Sequence, residues 1–481
     1  MKQVVVSRES LETRVAVLED GRVSELYVER PGRASLVGNV YKGRVENVLA
    51  GMDAAFVDIG LERNGFLHVD DVVQPDSRSG HPRKIAELLQ GGKEVLVQVT
   101  RDAMGNKGPR LTTQIGIAGR YVVYLPDSHS VGVSRRLDAA ERERLRLVCK
   151  EVGTAEGGLI VRTAAEGADA DAIDRDVRFL QRVWGGVTRR ASECKAPALV
   201  YEETDLAGRA IRDLLGPGPC AVLVDDPNLH RRLVNYLHAV APGLAGVVQL
   251  DDSGISLFAR LGLDGEMKKA LERRVDLPSG GYIVIDHTEA MTVIDVNTGR
   301  YTGKRYLEET TVRTNVEACR EIVRQLRLRD IGGIIVIDFI DMAVQSNREA
   351  VLAALEAQLA QDRTKTYVVE ISPLGLVEMT RQNVARGLRE VITTRCPHCH
   401  GVGRVLSEDS AVIEVERRLR AMAESSVLPC LRVELHPRVA ARLAAGQAPL
   451  LKQIEARTGH VFAVQTADES VPLDHVVVVP D

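Results

Sequence analysis

The sequence contains few aromatic residues and no long apolar run. Phe, Trp and Tyr make up 4% of the 481 residues, so the hydrophobic cores must be built from Val, Leu, Ile and Ala. No apolar stretch reaches the roughly 18 residues that a membrane-spanning helix needs. Residues 1–21 have the pattern of short strands rather than that of a signal peptide. We therefore expect a cytoplasmic protein without a membrane anchor.

Cysteine is also scarce. There are seven cysteines, an odd number; five are scattered and two form the pair Cys396 and Cys399. This distribution is not that of a secreted disulfide framework, and it indicates a reducing compartment.

An excess of basic charge is absent as well. Lys and Arg number 63 against 67 Asp and Glu, a net charge of −4, so the chain as a whole is not a polycation. Contact with nucleic acid would have to come from local basic patches. The candidates are Arg135-Arg136, Arg189-Arg190 and the stretch from Arg313 to Arg329, although any one of them alone is usually a solvated face.

The length predicts about three to five folding units. Short alternating runs separated by glycine turns predict a small β-barrel over residues 36–113. Residues 114–206 mix strands with helices over 138–152 and 169–195, and the last 75 or so residues have the pattern of a small α/β domain. We find no internal repeat.

Two predicted strands end in acidic residues. Residues 280–297 have the pattern of a hairpin whose second strand ends in Asp295-Val296-Asn297, so Asp295 and Asn297 share a face. A helix follows, with Val312, Val316, Cys319, Val323 and Leu326 at helical spacing and arginines on its other face. The next strand, 334–337, is apolar throughout, which predicts burial on both faces, and it ends in Asp338.

If these strands are neighbours, their carboxylates meet at one edge. Two carboxylates and an amide oxygen form a hard site suited to Mg²⁺ or Mn²⁺, which activates water and neutralises phosphodiester charge. The alternative is that an Asp after a strand is only a turn or helix-cap residue. We favour that interpretation for Asp286 and Asp341.

The segment Cys396-Pro397-His398-Cys399 has the turn of a zinc knuckle. Structural zinc takes four ligands, and no second CxxC is present. The site is completed either by a second chain or by His398 or His400. Redox-active or simply buried cysteines remain alternatives.

Three stretches together resemble the ribonuclease E/G family: 293–297, 324–330 and 332–342. The resemblance extends from the barrel to the CxxC and is weakest after about residue 408. It implies a multidomain α/β and β fold. The expected parts are an RNase H-like subdomain (1–35 and 207–270), an inserted S1-type OB barrel (36–113), a 5′-end sensor (114–206), a DNase I-like catalytic subdomain (271–395), a zinc-link (396–407) and a small C-terminal domain (408–481).

The resemblance also assigns roles to residues of the catalytic region. Asp295 and Asp338 would bind the catalytic Mg²⁺ and Asn297 would orient the site, so that RNA is cut to 5′-phosphate and 3′-hydroxyl ends. Cys396 and Cys399 would share Zn²⁺ between protomers of a dimer, with pairs of dimers forming a tetramer. The implied substrates are single-stranded A/U-rich RNA, including the 16S rRNA 5′ end and messenger RNA.

Further positions match RNA-contacting residues of the family. In the barrel these are Phe56, Phe66 and Lys107, although without the resemblance both Phe would be assigned to the core. In the sensor, Arg162 and Thr163 would bind a 5′-monophosphate, beside Val123 and Arg135. Without the match, Arg162 would be assigned to a surface ion pair.

Two other functions fit parts of the pattern. One is a non-catalytic RNA-binding or ribosome-associated protein; the other is a DNA nuclease, because a DNase I-like site does not by itself specify the sugar. No Arg/Pro-rich tail follows the small domain in the sequence, so we expect no tail-based degradosome scaffold.

Overall fold

The structure is a computed structural model of the chain. The residues that it describes are 2–32, 34–73, 84–103, 107–153, 157–215, 218–299, 307–372, 374–382, 387–426, 428–445 and 449–478. They form two compact units, residues 1–392 and 393–481, which we describe separately.

The first unit begins with an antiparallel three-stranded meander. Its strands are β1 (Lys2–Arg8), β2 (Thr13–Glu19) and β3 (Arg22–Glu29). Asp20 and Gly21 both have positive φ, as expected of the two-residue turn that joins β2 to β3.

A closed barrel follows. Its elements are β4 (Val40–Leu49), β5 (Ala54–Asp58), β6 (Gly65–His68), α1 (Ile85–Leu88), β7 (Glu94–Arg101) and β8 (Arg110–Thr112). The strand order is β4-β5-β6-β8-β7, and pairing of β4 with β7 closes the barrel. Val57, Leu67, Val97 and Leu111 fill its interior. The predicted barrel is therefore confirmed.

The next segment forms a four-stranded sheet of order β11-β12-β10-β9 packed against two helices. The elements are β9 (Ile117–Ala118), β10 (Val122–Leu125), β11 (Val131–Val133), α2 (Ala139–Val152), β12 (Gly158–Val161), α3 (Ala170–Glu193) and β13 (Ala198–Tyr201). Asp138 and Asp169 cap the two helices through their side chains, which explains where both predicted helices begin. Strand β13 pairs with β4 of the barrel.

The chain then returns to the first sheet. The elements are α4 (Leu206–Leu214), β14 (Cys220–Val224), α5 (Pro227–Val240), β15 (Val248–Leu250), α6 (Leu257–Arg260) and α7 (Leu263–Lys269). Because β14 pairs with β1, a sheet of order β15-β14-β1-β2-β3 unites strands from 2–29 and 220–250. The RNase H-like assignment of these segments stays a prediction.

The last part of the first unit contains a sheet that we call the carboxylate sheet. Its strands are β16 (Arg274–Asp276), β17 (Tyr282–His287), β18 (Met291–Asn297), β19 (Gly333–Asp338), β20 (Thr366–Ile371) and β21 (Leu376–Arg381). Its order is β16-β17-β18-β19-β21-β20, and only β18 and β19 pair in parallel. The helices of this part are α8 (Leu307–Leu328), which connects β18 to β19, α9 (Gln345–Leu359) and α10 (Leu388–Ile392).

The prediction that both faces of the 334–337 strand are covered is wrong. Helices α8 and α9 pack against the same face, where Ile335 and Ile337 are fully buried. On the other face Ile334 is 49% exposed. Val316 of α8, which we expected in the core, is also exposed.

The second unit contains a three-stranded sheet of order β23-β22-β24, packed against helices. Its elements are α11 (Glu408–Ser425), β22 (Cys430–Leu435), α12 (Pro437–Ala444), α13 (Leu450–Thr458), β23 (Val461–Thr466) and β24 (Val476–Val478). The predicted α/β character of this region is confirmed. None of the helices in the described ranges has the length and apolar character needed to cross a membrane.

Candidate active site

Asp295 and Asp338 lie side by side in the carboxylate sheet. They are register partners in the parallel pair β18–β19, whose Cα spacing is about 4.8 Å. Their neighbours Ile294, Val296 and Ile337 point into the core, so both carboxylates project from the face that carries no helix. The structure thus brings Asp295 and Asp338 together at one edge of the sheet, as the sequence led us to expect.

Asn297 lies on the same face, two residues beyond Asp295. Its Nδ2 donates a hydrogen bond to Oδ2 of Asp295 at 2.8 Å. The amide therefore restricts the orientation of this carboxylate, and its oxygen is a further candidate donor beside the two acids.

The electrostatics at this edge of the sheet favour a cation. Partial burial raises the pKa of Asp338, and the negative charges of Asp295 and Asp341 raise it further. Asp341, which we had assigned to a turn, therefore contributes to the potential at the site. In the described chain no cluster of three or more His, Cys, Asp or Glu residues could hold a metal ion. Among the described residues, the donors at this edge of the sheet are the two carboxylates and the amide.

Asp286 has a different environment on the same face. Two hydrogen bonds from Arg273, each 2.5 Å long, lower its pKa. Asp286 lies inside β17, so our interpretation of it as a turn or helix-cap residue is wrong, and its role in the structure is this ion pair with Arg273.

Three arginines of the stretch from Arg313 to Arg329, a candidate basic patch, bond to other residues of the protein. Arg324 bonds to Glu321, Arg327 bonds to Glu19 and Glu25 of the first sheet, and Arg329 bonds to Gln325 and to a backbone carbonyl. Because α8 packs between the first sheet and the carboxylate sheet, these guanidinium groups form hydrogen bonds within the protein. Arg313 and Arg320 remain exposed.

Phe56 and Phe66 lie on the outside of the barrel. They are partners across β5 and β6, with ring centroids 5.9 Å apart in an edge-to-face arrangement. Both are half-buried, and neither belongs to the barrel core. Lys107 is exposed. The core alternative for the two Phe residues is therefore not supported.

Three of the predicted sensor residues lie at one end of the four-stranded sheet. Strands β11 and β12 run parallel, so Arg135, which follows β11, and Arg162 and Thr163, which follow β12, emerge at the same end. The Thr163 hydroxyl is 3.2 Å from that of Ser134. Val123 is half-buried on the adjacent β10.

Arg162 is held by residues that the sequence did not indicate. Its Nη1 donates to the carbonyl of Gly119 at 2.6 Å, and its Nη2 lies 2.6 Å from Oδ1 of Asp213. Burial opposes ionisation of Asp213, but Arg212 and Arg162 outweigh it and lower the pKa of this acid. Arg162 thus does form an ion pair, as the alternative interpretation expected, and this ion pair with Asp213 fixes the position of its guanidinium group.

A buried carboxylate supports the backbone beside Arg162. Asp176 of α3 is completely buried, and it accepts hydrogen bonds from the amides of Arg120, Tyr121 and Val122 at 3.3, 2.7 and 3.1 Å. Burial raises its pKa, and these backbone hydrogen bonds oppose the rise. An acid inside an amphipathic helix gives no sequence signal for this role.

The cysteine pair lies in the second unit. Backbone amides of Gly403 and Gly401 donate to Cys399 and, with a hydrogen bond to Cys396, lower the pKa of its thiol. No third His, Cys, Asp or Glu completes the group within the described residues. The local turn thus favours the thiolate form of Cys399.

Comparison with known proteins gives a consistent result. A profile of the Ribonuclease E/G family matches residues 116–384. Ribonuclease G of Salmonella typhimurium (strain SL1344) is 39% identical over 471 residues, 96% of each chain. Ribonuclease G of Haemophilus influenzae is 40% identical over 416 residues, 85% of each chain. Ribonuclease E of Escherichia coli (strain K12) is 38% identical over 431 residues, 88% of this chain and 41% of that protein. The profile covers more than half of the sequence and the alignments to Ribonuclease G run almost end to end, so the chain belongs to the ribonuclease E/G family.

Proposed function

We propose that the protein is a Mg²⁺-dependent endoribonuclease that cuts single-stranded A/U-rich RNA, leaving 5′-phosphate and 3′-hydroxyl ends. The observation that supports this proposal is the pairing of Asp295 with Asp338 on the open side of the carboxylate sheet. Family membership supports RNA as the substrate. The 5′ end of 16S rRNA precursors and messenger RNA in the cytoplasm are the proposed targets.

The donor set fits a hard divalent ion. Mg²⁺ is usually held by one or two carboxylates and retains several waters, which matches two acids and an amide without a third carboxylate. Asp295, Asp338 and the amide oxygen of Asn297 would hold Mg²⁺ or Mn²⁺. When bound, the ion supplies Lewis acidity that activates water and neutralises phosphodiester charge. Asn297 keeps Asp295 oriented, and the charge of Asp341 strengthens attraction for the cation.

The barrel and the sensor would bind the RNA strand away from the cut. The half-exposed rings of Phe56 and Phe66 would stack on bases, with Lys107 close to the phosphates. A 5′-monophosphate would bind Arg162 and Thr163, so that RNA with this end is cut faster. Gly119 and Asp213 hold the Arg162 guanidinium in place, which reduces the entropy lost on binding.

For the second unit we propose a structural Zn²⁺ shared between two chains through Cys396 and Cys399. Tetrahedral zinc needs four ligands, and each chain would supply two thiolates. The hydrogen bonds that lower the pKa of Cys399 favour the thiolate that zinc requires. The protein would then be a dimer, and pairs of dimers would form a tetramer.

The decisive experiment is cleavage of an end-labelled A/U-rich oligonucleotide with mapping of the new ends. Asp295→Asn and Asp338→Asn should each reduce the rate at least about a hundredfold while the protein stays folded, because each removes a charged ligand. EDTA should abolish cleavage of RNA, and a DNA oligonucleotide of the same sequence should be cut poorly.

Asp286→Asn is the matched control, since Asp286 projects from the same face but is paired with Arg273. Its rate should stay within about twofold of the original, as expected for a substitution outside the site. Folded Asp295→Asn and Asp338→Asn proteins with undiminished cleavage would refute the assignment.

A further inference from the structure

The face of the carboxylate sheet that carries Asp295 and Asp338 also carries a second group of polar and aromatic side chains. Register places Tyr282 of β17 directly opposite Asn297, and Val284 directly opposite Asp295. Arg274 of the edge strand β16 is in turn opposite Val284. Neighbouring strands lie about 4.8 Å apart, so Tyr282 and Val284 lie beside Asn297 and Asp295, on the side of β18 away from Asp338, and Arg274 lies one strand further out.

Tyr282 and Arg274 form a stacked pair on this face. The guanidinium carbon of Arg274 lies 3.9 Å from the centre of the Tyr282 ring. Its Nε also donates to Asp276 at 2.8 Å, but both members of that ion pair are more than half exposed. Exposed ion pairs of this kind contribute little to stability, so the Arg274–Asp276 ion pair has no strong structural role.

We propose that Tyr282 and Arg274 form a subsite for the nucleotide next to the scissile phosphate, with the Tyr282 ring stacking on its base. Single-stranded RNA is held by aromatic rings and by arginines that contact the backbone. A ring on the strand adjacent to Asp295 and Asn297 lies within one nucleotide of a phosphate bound at the acids. This inference rests on the proposed endoribonuclease function.

The arrangement also provides charge separation. Arg274 and the acids occupy one cross-strand row, with the apolar Val284 between them. A phosphate bound beside Arg274 would therefore meet a guanidinium group whose Nε is paired with Asp276, while the next phosphate along the RNA lies near the carboxylates. The subsite thereby fixes the position of the strand relative to the site of cleavage.

The test combines variants of the protein with abasic RNA. Tyr282→Ala should lower kcat/KM on intact RNA about tenfold, the size expected for one stacked base, and Tyr282→Phe should restore it. A series of oligonucleotides then removes one base at a time around the mapped cut. At one position, within one nucleotide of the cut, base removal should slow the original protein about tenfold and leave Tyr282→Ala unaffected.

Tyr367→Ala is the matched control, because Tyr367 is a 68% exposed tyrosine of β20 on the same sheet. It should leave kcat/KM unchanged for every oligonucleotide. If Tyr282→Ala lowers cleavage of all abasic RNAs by the same factor, or leaves intact RNA unaffected, the subsite is refuted. Loss of cleavage in Asp295→Asn but not in Tyr282→Ala would refute the subsite alone. A protein that cuts no RNA under any condition would refute the proposed function itself.

Discussion

Replacement of Glu25 by Gln tests whether a buried charge network joins the first sheet to the carboxylate sheet. The Glu25 side chain is 6% exposed, and it accepts hydrogen bonds from Arg327 of α8 at 2.9 Å and from Arg363 at 2.8 Å. Tyr27 donates to it as well, at 2.9 Å. Gln keeps the shape of the side chain but removes the charge that both guanidinium groups face.

The size of the effect follows from what remains after the substitution. Loss of one partner from a buried ion pair costs about 3–5 kcal/mol. Arg327 would keep Glu19 at 2.7 Å, and Arg363 is 39% exposed and can turn to water, so we expect a loss of about 2–3 kcal/mol. With a urea m-value of about 3 kcal/mol/M, the midpoint of unfolding should fall by roughly 0.7–1 M.

The assay is urea unfolding followed by fluorescence of Trp184, the one tryptophan of the chain, which lies in the first unit. The control is Glu19→Gln, because the Glu19 side chain is 43% exposed and should contribute about 1 kcal/mol or less. If Glu25→Gln costs no more than Glu19→Gln, the network does not stabilise the protein.

The pH dependence of this difference gives a second check. Burial alone would raise the pKa of Glu25, but Arg363 and Arg327 outweigh it and hold the pKa below the usual 4.5. A carboxyl pKa that is lowered by folding stabilises the protein above the unfolded value and ceases to do so as pH falls through the folded value. The difference in free energy of unfolding between the original protein and Glu25→Gln should be complete at pH 7 and should disappear below about pH 4.5. A difference in stability that persists below about pH 4.5 would contradict this reasoning.

Three further predictions concern other parts of the molecule. Asp176→Ala leaves three backbone amides, two of them in buried hydrogen bonds, without their acceptor, so urea unfolding should show a loss of about 3 kcal/mol against about 1 kcal/mol for Asp176→Asn. An equal loss in both variants would contradict the role of the second carboxylate oxygen. Phe56→Ala should raise KM for single-stranded RNA about tenfold in steady-state kinetics with little change in the unfolding midpoint, and an unchanged KM would remove the barrel surface from the RNA path. Metal analysis should find one zinc per two chains, and sedimentation should find a dimer. Cys396→Ser should lose both the zinc and the dimer, whereas Cys430→Ser, the control at an exposed cysteine of the same unit, should keep both. One zinc per chain would refute sharing.

Much of the candidate site could be predicted because it depends on local pattern. The hairpin over 280–297 and the apolar run before Asp338 specify two strands, and the period of two specifies which side chains share a face. The barrel could also be predicted from the sequence, because its short strands are separated by glycine turns.

The rest depends on contacts between distant residues. A short apolar strand has the same pattern whether one or both faces are covered, so the open face beside Ile334 could not be read from 334–337 alone. The two acidic partners of Arg327, Glu19 and Glu25, lie some 300 positions away in the sequence. An arginine row on a helix has the same spacing whether it meets RNA or a second sheet.

The parallel pairing of β18 with β19 determines whether the proposed metal site can form at all. Met291 is opposite Ile334 and Asp295 is opposite Asp338, so the two acids lie side by side near the ends of their strands. Had β19 run the other way with Met291 still opposite Asp338, the acids would be four residues apart, about 13 Å at the rise of a strand, too far to share one ion. Helix α8 is the connection that turns the chain round for this pairing. A helix to which the proposal assigns no ligand is therefore as necessary to the proposed metal site as the carboxylates themselves.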